Sequence, residues 1–330
     1  MLKVIEDQLV IKKYAKRFVK KFKPFIDEEI KVKLGHQGAS FPAKVLWSRK
    51  LGIWTFSSAI KEVRYWNAFG LEKPEVTNVL SITSEINFPW AGIDRKTGGA
   101  FAEDAWGNIF VIHRGKIGGG KKGVGKSLFE HNYRGVWSFM EDGKSVNQVA
   151  IIGALNSSRF VWQAAQFVKK IEKLKSTAAT STQTKINFSE ITFREDLVGS
   201  PPSLADNEIL SACDHDLVVG KLAALLQQGK LKIGNDTSHE LFVVVPSENR
   251  ISHIFALVTN AREKSILAAA AKLLLQTSAA AGNPLPVLVL PEDKIDDYEQ
   301  ELQRINISVV GFSWQGEKVI FPELEKIEFK

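Results

Sequence analysis

Cysteine is nearly absent: Cys213 stands alone in 330 residues, which excludes an internal disulfide and a cysteine-built zinc site. No run approaches the ~18 consecutive apolar residues of a membrane-spanning helix, so no membrane partner is expected. The lysine-bearing N-terminus runs into Glu6 and Asp7 with no apolar core behind it. A cleavable secretory leader is therefore not expected, and a reducing cytoplasm is. The histidines show no HxH or HExxH spacing. Asp94, Arg95, Glu103, Asp104, His113 and His131 thus read as hairpin ends and loop ion pairs rather than a metal centre. Negative charge is scarce in the first half. Residues 1–175 hold 30 Lys+Arg against 16 Asp+Glu, a net of +14, while residues 176–330 hold 14 against 21, a net of −7. Seven of the eight tryptophans, all but Trp314, also fall in the basic half. A field so one-sided suits a phosphate polymer and puts binding in the first half.

What is abundant there is glycine and lysine together. After an apolar strand signal at Ile109–Ile112 come Gly115, Gly118, Gly119, Gly120, Gly123 and Gly125, interleaved with Lys116, Lys121, Lys122 and Lys126. Glycine lets a backbone approach closely and expose its N–H groups, and lysine supplies the charge. Gly120 to Ser127 fits the P-loop string GxxxxGKS. A P-loop, however, leaves its strand at once and opens a long helix, whereas His113–Gly119 intervenes here and the expected helix, Ser127 to Val136, is short. A clamp on a nucleic-acid backbone is the preferred reading, with nucleotide binding as an alternative and a solvated loop as the plain one. Arg114, Lys116, Gly118, Gly119, Gly120, Lys121, Lys122, Lys126 and Arg134 are the expected phosphate contacts, and Tyr65 and Trp66 the expected base-stacking rings.

The rest of the basic half reads as a helix over Val4–Phe22 followed by short strands at Val45–Trp47, Ile53–Phe56, Val79–Ile86, Ala100–Ala102 and Ile109–Ile112. A lysine-flanked helix of this kind serves either a membrane surface or, more simply, its own domain with a solvated basic face. A further helix runs from Ser157 or Ser158 to about Lys175, and the low-complexity stretch after it marks a linker. The expected domains are 1–175, a linker at 176–204, and 205–330.

The second half alternates: helix Leu210–Gln227, strands Glu240–Val245 and Ile251–Val258, helix Ala261–Thr277, strand Pro286–Leu290, helix Glu292–Arg304, strand Ile307–Phe312 and an edge at Lys318–Phe321. This order, with Glu240 heading one strand and Val287-Leu288-Val289-Leu290-Pro291 in a later one, resembles the PD-(D/E)XK restriction-endonuclease-like superfamily over residues 205–322. The resemblance implies an acidic residue on the first strand and an E-x-K on the second, holding Mg²⁺ and activating water. Glu240 takes the first role, but Ala256 and Val258 fall where the second carboxylate and the lysine belong, and neither can ligate a hard cation. Rescue from the next helix by Glu263, Lys264 or Lys272 is the route by which activity could persist.

The expectation is thus an α+β or α/β chain: a basic β-rich N-terminal domain, either a curved antiparallel sheet or a small barrel with helices, and a restriction-endonuclease-like C-terminal domain that has lost cleavage. Its expected partner is double-stranded DNA, or RNA by the same chemistry, with protein partners or self-association through the C-terminal domain. No cofactor is required for binding. Mg²⁺ at Glu240, with Lys272 beside it, belongs to the alternative of an active endonuclease. Prokaryotic restriction, defence or mobile elements are the setting the resemblance implies.

Overall fold

Helix α1 (Gln8–Phe22) begins where the Asp7 carboxylate accepts the Val10 N–H at 2.8 Å. This computed structural model describes residues 1–36, 38–76, 79–118, 124–177, 191–195, 198 and 208–329. Ile11, Ala15, Phe18 and Phe22 recur at helical spacing and are buried, while Lys12, Lys13, Lys16, Arg17 and Lys20 are exposed. The helix starts later than the sequence suggests because Leu2–Val4 forms a strand, β1, with Leu2 wholly buried.

Two units divide the chain: Met1–Ser181 with Ser200–Cys213, and Thr182–Gly199 with Asp214–Lys330. In the first, β1 closes a five-stranded barrel with β9 (Gly99–Glu103), β10 (Ile109–His113), β11 (Val136–Asp142) and β12 (Ser145–Ala154), in the order β1-β11-β12-β10-β9. Period-two alternation splits the side chains. Leu2, Ala100, Ala102, Phe110, Ile112, Val136 and Met140 form one cluster, while Phe101, Ile109, Val111 and Trp137 join the larger core of α1 and α3 (Phe160–Thr177).

The second sheet of this unit comprises β2 (Glu28–His36), β3 (Ala39–Ser48), β4 (Ile53–Ile60), β5 (Arg64–Gly70), β6 (Val79–Leu80) and β7 (Ser84–Glu85), ordered β6-β2-β3-β4-β5-β7. A further strand, β8 (Phe88–Pro89), pairs with β5. Phe69 and Phe88 pack against Phe18 at 6.2 and 5.0 Å between ring centroids. On the opposite face Leu34, Val45, Trp47, Trp54, Trp66 and Ile82 enclose a core of their own. Expectation and structure part here in that Val79–Ile86 is two short strands, and Glu28–His36 and the aromatic run Arg64–Gly70 are strands.

The second unit follows the expected order closely. Helix α4 (Ile209–Gln228) precedes β13 (Lys232–Gly234), β14 (Leu241–Val245), β15 (Arg250–Leu257), α5 (Glu263–Ala279), β16 (Leu285–Pro291), α6 (Ile295–Arg304), β17 (Ser308–Gln315) and β18 (Lys318–Ile320). Strands β13 to β15 form an antiparallel meander, and β15, β16 and β17 run parallel, linked by α5 and α6. The central strand β16 is apolar throughout because both of its faces are covered: Val287 and Val289 lie under α4's Val218 and Leu222, and Leu288 and Leu290 lie under α5's Ile266 and Leu273. The division between units falls inside α4 rather than at residue 205. Ile209, Ala212 and Cys213 belong to the barrel's cluster, and Val218 onward to the second core.

Candidate functional site

The glycine-lysine stretch leaves β10 through a fixed base. His113 is buried, and its Nδ1 accepts the Gly115 N–H at 3.0 Å. Burial foremost, with the Arg114 charge adding to it, holds the imidazole down to about 4 although a backbone carbonyl works the other way, so it is neutral. Gly115 takes φ +90°, and a Cβ there would sit 2.9 Å from the Phe129 ring, so glycine is required twice over. Ile117 and Val124, both buried, exchange backbone hydrogen bonds at 3.2 and 3.0 Å and close the stretch between them. Gly119, Gly120, Lys121 and Lys122 lie outside the described residues, as does most of the expected linker.

The remaining expected contacts separate into distinct roles. Lys116 and Gly118 are exposed, and the Gly118 carbonyl accepts from Lys175 Nζ at 3.0 Å. Lys126 opens α2 (Lys126–Asn132) and pairs with Glu130 at 3.6 Å. Arg114 is otherwise engaged. Its guanidinium lies 3.4 Å from the buried Asp142 carboxylate and also reaches the Thr97 carbonyl, so its charge serves the barrel rather than a phosphate. Arg95, read from the sequence as part of the hairpin ends and loop ion pairs, meets the same carboxylate at 3.5 Å. Arg134 is exposed, and its carbonyl accepts from the buried Lys170, which therefore does not ride on the solvent face. Tyr65 stacks on Trp90 at 5.2 Å and 12°, and Trp66 is buried among Phe41, Phe56 and His36.

The surroundings of GxxxxGKS differ from those of a phosphate loop. Strand β10 is antiparallel to both neighbours, β9 and β12, and α2 is seven residues long before β11 starts at Val136. The long helix whose N-terminus would carry the phosphates is missing from its expected place.

In the second unit Glu240 precedes β14, and the pairing Leu241↔Phe255 puts Ala256 opposite it. Glu240 is nonetheless not alone. Its Oε2 accepts the Leu257 N–H at 3.0 Å and lies 3.8 Å from His215 Nε2, while Lys272 Nζ stands 4.0 Å from Oε1. Burial would raise this carboxyl, but His215, Lys272 and the Leu257 N–H bring it below the ordinary glutamate range. His215, flanked by Asp216 at 3.8 Å, goes the other way: burial would lower it, yet the two carboxylates raise it to about 9. The only hint of His215 in the sequence is the run Asp214-His215-Asp216, and its pairing with Glu240 is a tertiary fact.

The cluster thus sets two carboxylates, Glu240 and Asp216, against two cations, His215 and Lys272. A Mg²⁺ ion needs several oxygen ligands, and here Ala256 and Val258 are buried apolar contacts while Glu240 is already charge-compensated. Among the described residues, no group of three or more His, Cys, Asp or Glu side chains is placed to hold a metal ion. Glu263 and Lys264 are exposed and do not join the cluster. The residues present do not fit the metal that the resemblance implies. The chain matches no protein-family model, no curated protein and no solved structure.

Proposed function

We propose that the first unit binds double-stranded DNA through its phosphate backbone, and that the second is a restriction-endonuclease-like domain without hydrolytic activity. The observation that carries the binding half is the exposed face of α1. Five cations, Lys12, Lys13, Lys16, Arg17 and Lys20, stand on it, and the helix contains no acidic residue. Lys12/Lys16, Lys13/Arg17 and Lys16/Lys20 are like-charged i,i+4 pairs, each costing the helix roughly 0.2–0.5 kcal/mol. A polyanion converts that cost into attraction. The apolar face that a membrane-surface helix would insert is occupied by the core of its own unit, which favours a phosphate polymer over a bilayer. Lys116 and the lysines of the glycine stretch would extend the contact.

The test is duplex affinity against salt. Log K should fall linearly with log salt, and each phosphate-contacting cation removed should reduce the slope by ~0.9. A folded variant with all five α1 cations replaced by glutamine and an unchanged slope would sink this reading.

The sheet order β13-β14-β15-β16 with α5 before β16, and Glu240 opposite Ala256, support the nuclease-like reading of the second unit. An active endonuclease is the second reading, favoured by the nearness of Lys272 to Glu240.

A further inference from the structure

A cavity of about 450 Å³ opens at the carboxyl ends of the parallel strands of the second unit, and no residue of the Glu240 cluster lines it. The carboxyl ends of strands are where open α/β sheets commonly hold ligands. Thr259 lies two residues past β15, and Pro291, the last residue of β16, pairs with Phe312 of β17. Phe312 is buried, while Trp314, two residues on and therefore on the same face of β17, is partly exposed. The 3-10 turn Glu292–Lys294 brings two exposed carboxylates, Glu292 and Asp293, into the lining. Gly311 lets that turn lie close on β17, because a Cβ there would stand 3.5 Å from Glu292 Cα.

Lys294, next to them in the chain, pairs with Asp297 at 2.8 Å, and neither Glu292 nor Asp293 makes a hydrogen bond or salt bridge among the described residues. Acids at the start of α6 complement its helix dipole, which accounts for their charge but not for the indole and the apolar wall beside them. An indole attracts a cation, carboxylates bind it, and an apolar lining accepts a hydrocarbon stem. A hydrated metal ion has no use for that wall, and an anion is repelled. The guanidinium of arginine matches best, being planar, weakly hydrated and able both to stack on a ring and to fork onto a carboxylate. We propose that this cavity receives an arginine side chain of a basic protein segment, its head between Trp314 and the Glu292–Asp293 pair and its stem along Pro291 and Phe312. Asp296, Asp297, Glu299 and Glu301 continue the negative charge along α6, and residues 176–330 carry a net −7, which favours a basic chain over an isolated amine. This inference is independent of the nucleic-acid reading of the first unit.

The probe is a fluorescently labelled pentapeptide, Ala-Arg-Ala-Arg-Ala, titrated with the full chain at fixed low salt and followed by anisotropy. Binding should be saturable and about tenfold tighter than that of the same peptide with neutral citrulline in place of arginine. Trp314→Leu removes the ring, and Glu292→Gln with Asp293→Asn removes the carboxylates. Each should weaken binding about tenfold. Glu299→Gln with Glu301→Gln removes the same charge at residues that do not line the cavity, and should weaken binding by less than about twofold. Circular dichroism verifies folding, and the Glu292 and Asp293 changes decide alone if Trp314→Leu does not fold. Absence of binding, equal binding of the citrulline peptide, equal losses in the two charge variants, or unchanged affinity in a folded Trp314→Leu protein overturns the site. Agmatine competing with an affinity equal to the peptide's overturns the protein partner in favour of a small cation.

Discussion

Glu240 stands opposite Ala256 across the β14–β15 pair, with the neighbouring Leu257 N–H donating to its carboxylate at 3.0 Å. The acid is therefore held in place by groups that make it a poor base and a poor metal ligand. Purified protein with Mg²⁺ or Mn²⁺ should leave plasmid supercoiled, and Glu240→Ala should not alter that. Wild-type nicking that disappears in Glu240→Ala or Lys272→Ala would establish the enzyme reading instead.

His215 gives the second unit an alkaline weakness. Its folded value of about 9 exceeds the ordinary 6.5, so the stabilisation is complete below pH 6.5 and is lost as pH rises toward 9. Up to about 3 kcal/mol is at stake. Urea midpoints of the second unit's transition should fall across that window, and His215→Gln should flatten the profile. A wild-type midpoint that does not move between pH 6.5 and 9 would refute the pairing with Glu240 and Asp216.

The first unit should show the opposite dependence. His113 at about 4 lies below 6.5, so the unfolded chain binds the proton first and stability drops as pH falls from 6.5 toward 4. Tryptophan emission reports this unit selectively, because seven of the eight tryptophans lie in it. His113→Phe should shift that acid transition downward if the ring fits. An acid midpoint identical to wild type in a folded variant would count against a buried neutral His113.

Asp142→Ala should destabilise by about 3–5 kcal/mol, because it strands the Arg114 guanidinium without its partner. Arg95→Ala, at an arginine side chain 60% exposed, should cost at most about 1 kcal/mol. Thermal melts rank the two, and equal effects would contradict the assignment of Arg114 to structure.

Phe18 contacts Phe22, Phe69, Phe88 and Phe160, all within 6.2 Å. Phe18→Ala should cost about 3–5 kcal/mol. Loss of the first unit's cooperative melt, with the second unit's melt retained, is the expected result. An unchanged first transition would mean that α1 does not anchor this core.

The second unit is legible in the sequence because its elements are regular and nearly uninterrupted: α5 is expected at Ala261–Thr277 and found at Glu263–Ala279, and β16 at Pro286–Leu290 and found at Leu285–Pro291. The first unit hides more. Strand β2 is not among the expected strands, although Ile30, Val32 and Leu34 alternate with Glu29, Lys31 and Lys33. Strand β5 is masked by its aromatic and polar mixture, Arg64-Tyr65-Trp66-Asn67, whose Asn67 is buried and donates to the Ile86 carbonyl. Residue type alone does not tell an arginine bound to Asp142 from one free for phosphate, because that carboxylate arrives from another strand. The same holds for His215, which meets Glu240 only once α4 has packed on the sheet.

The bridge between Ile117 and Val124 has an evolutionary consequence. Both residues are sunk in the core and bonded to each other, so this pair ties both ends of the interval to the unit. Doubling the length of such a loop costs only about 0.6 kcal/mol in closure entropy. Residues between these two posts can therefore be exchanged, inserted or deleted at little risk to folding. In lineages under pressure to change what they bind, this short interval is where substitutions should accumulate fastest, while Gly115, Ile117, Val124 and Phe129 hold still.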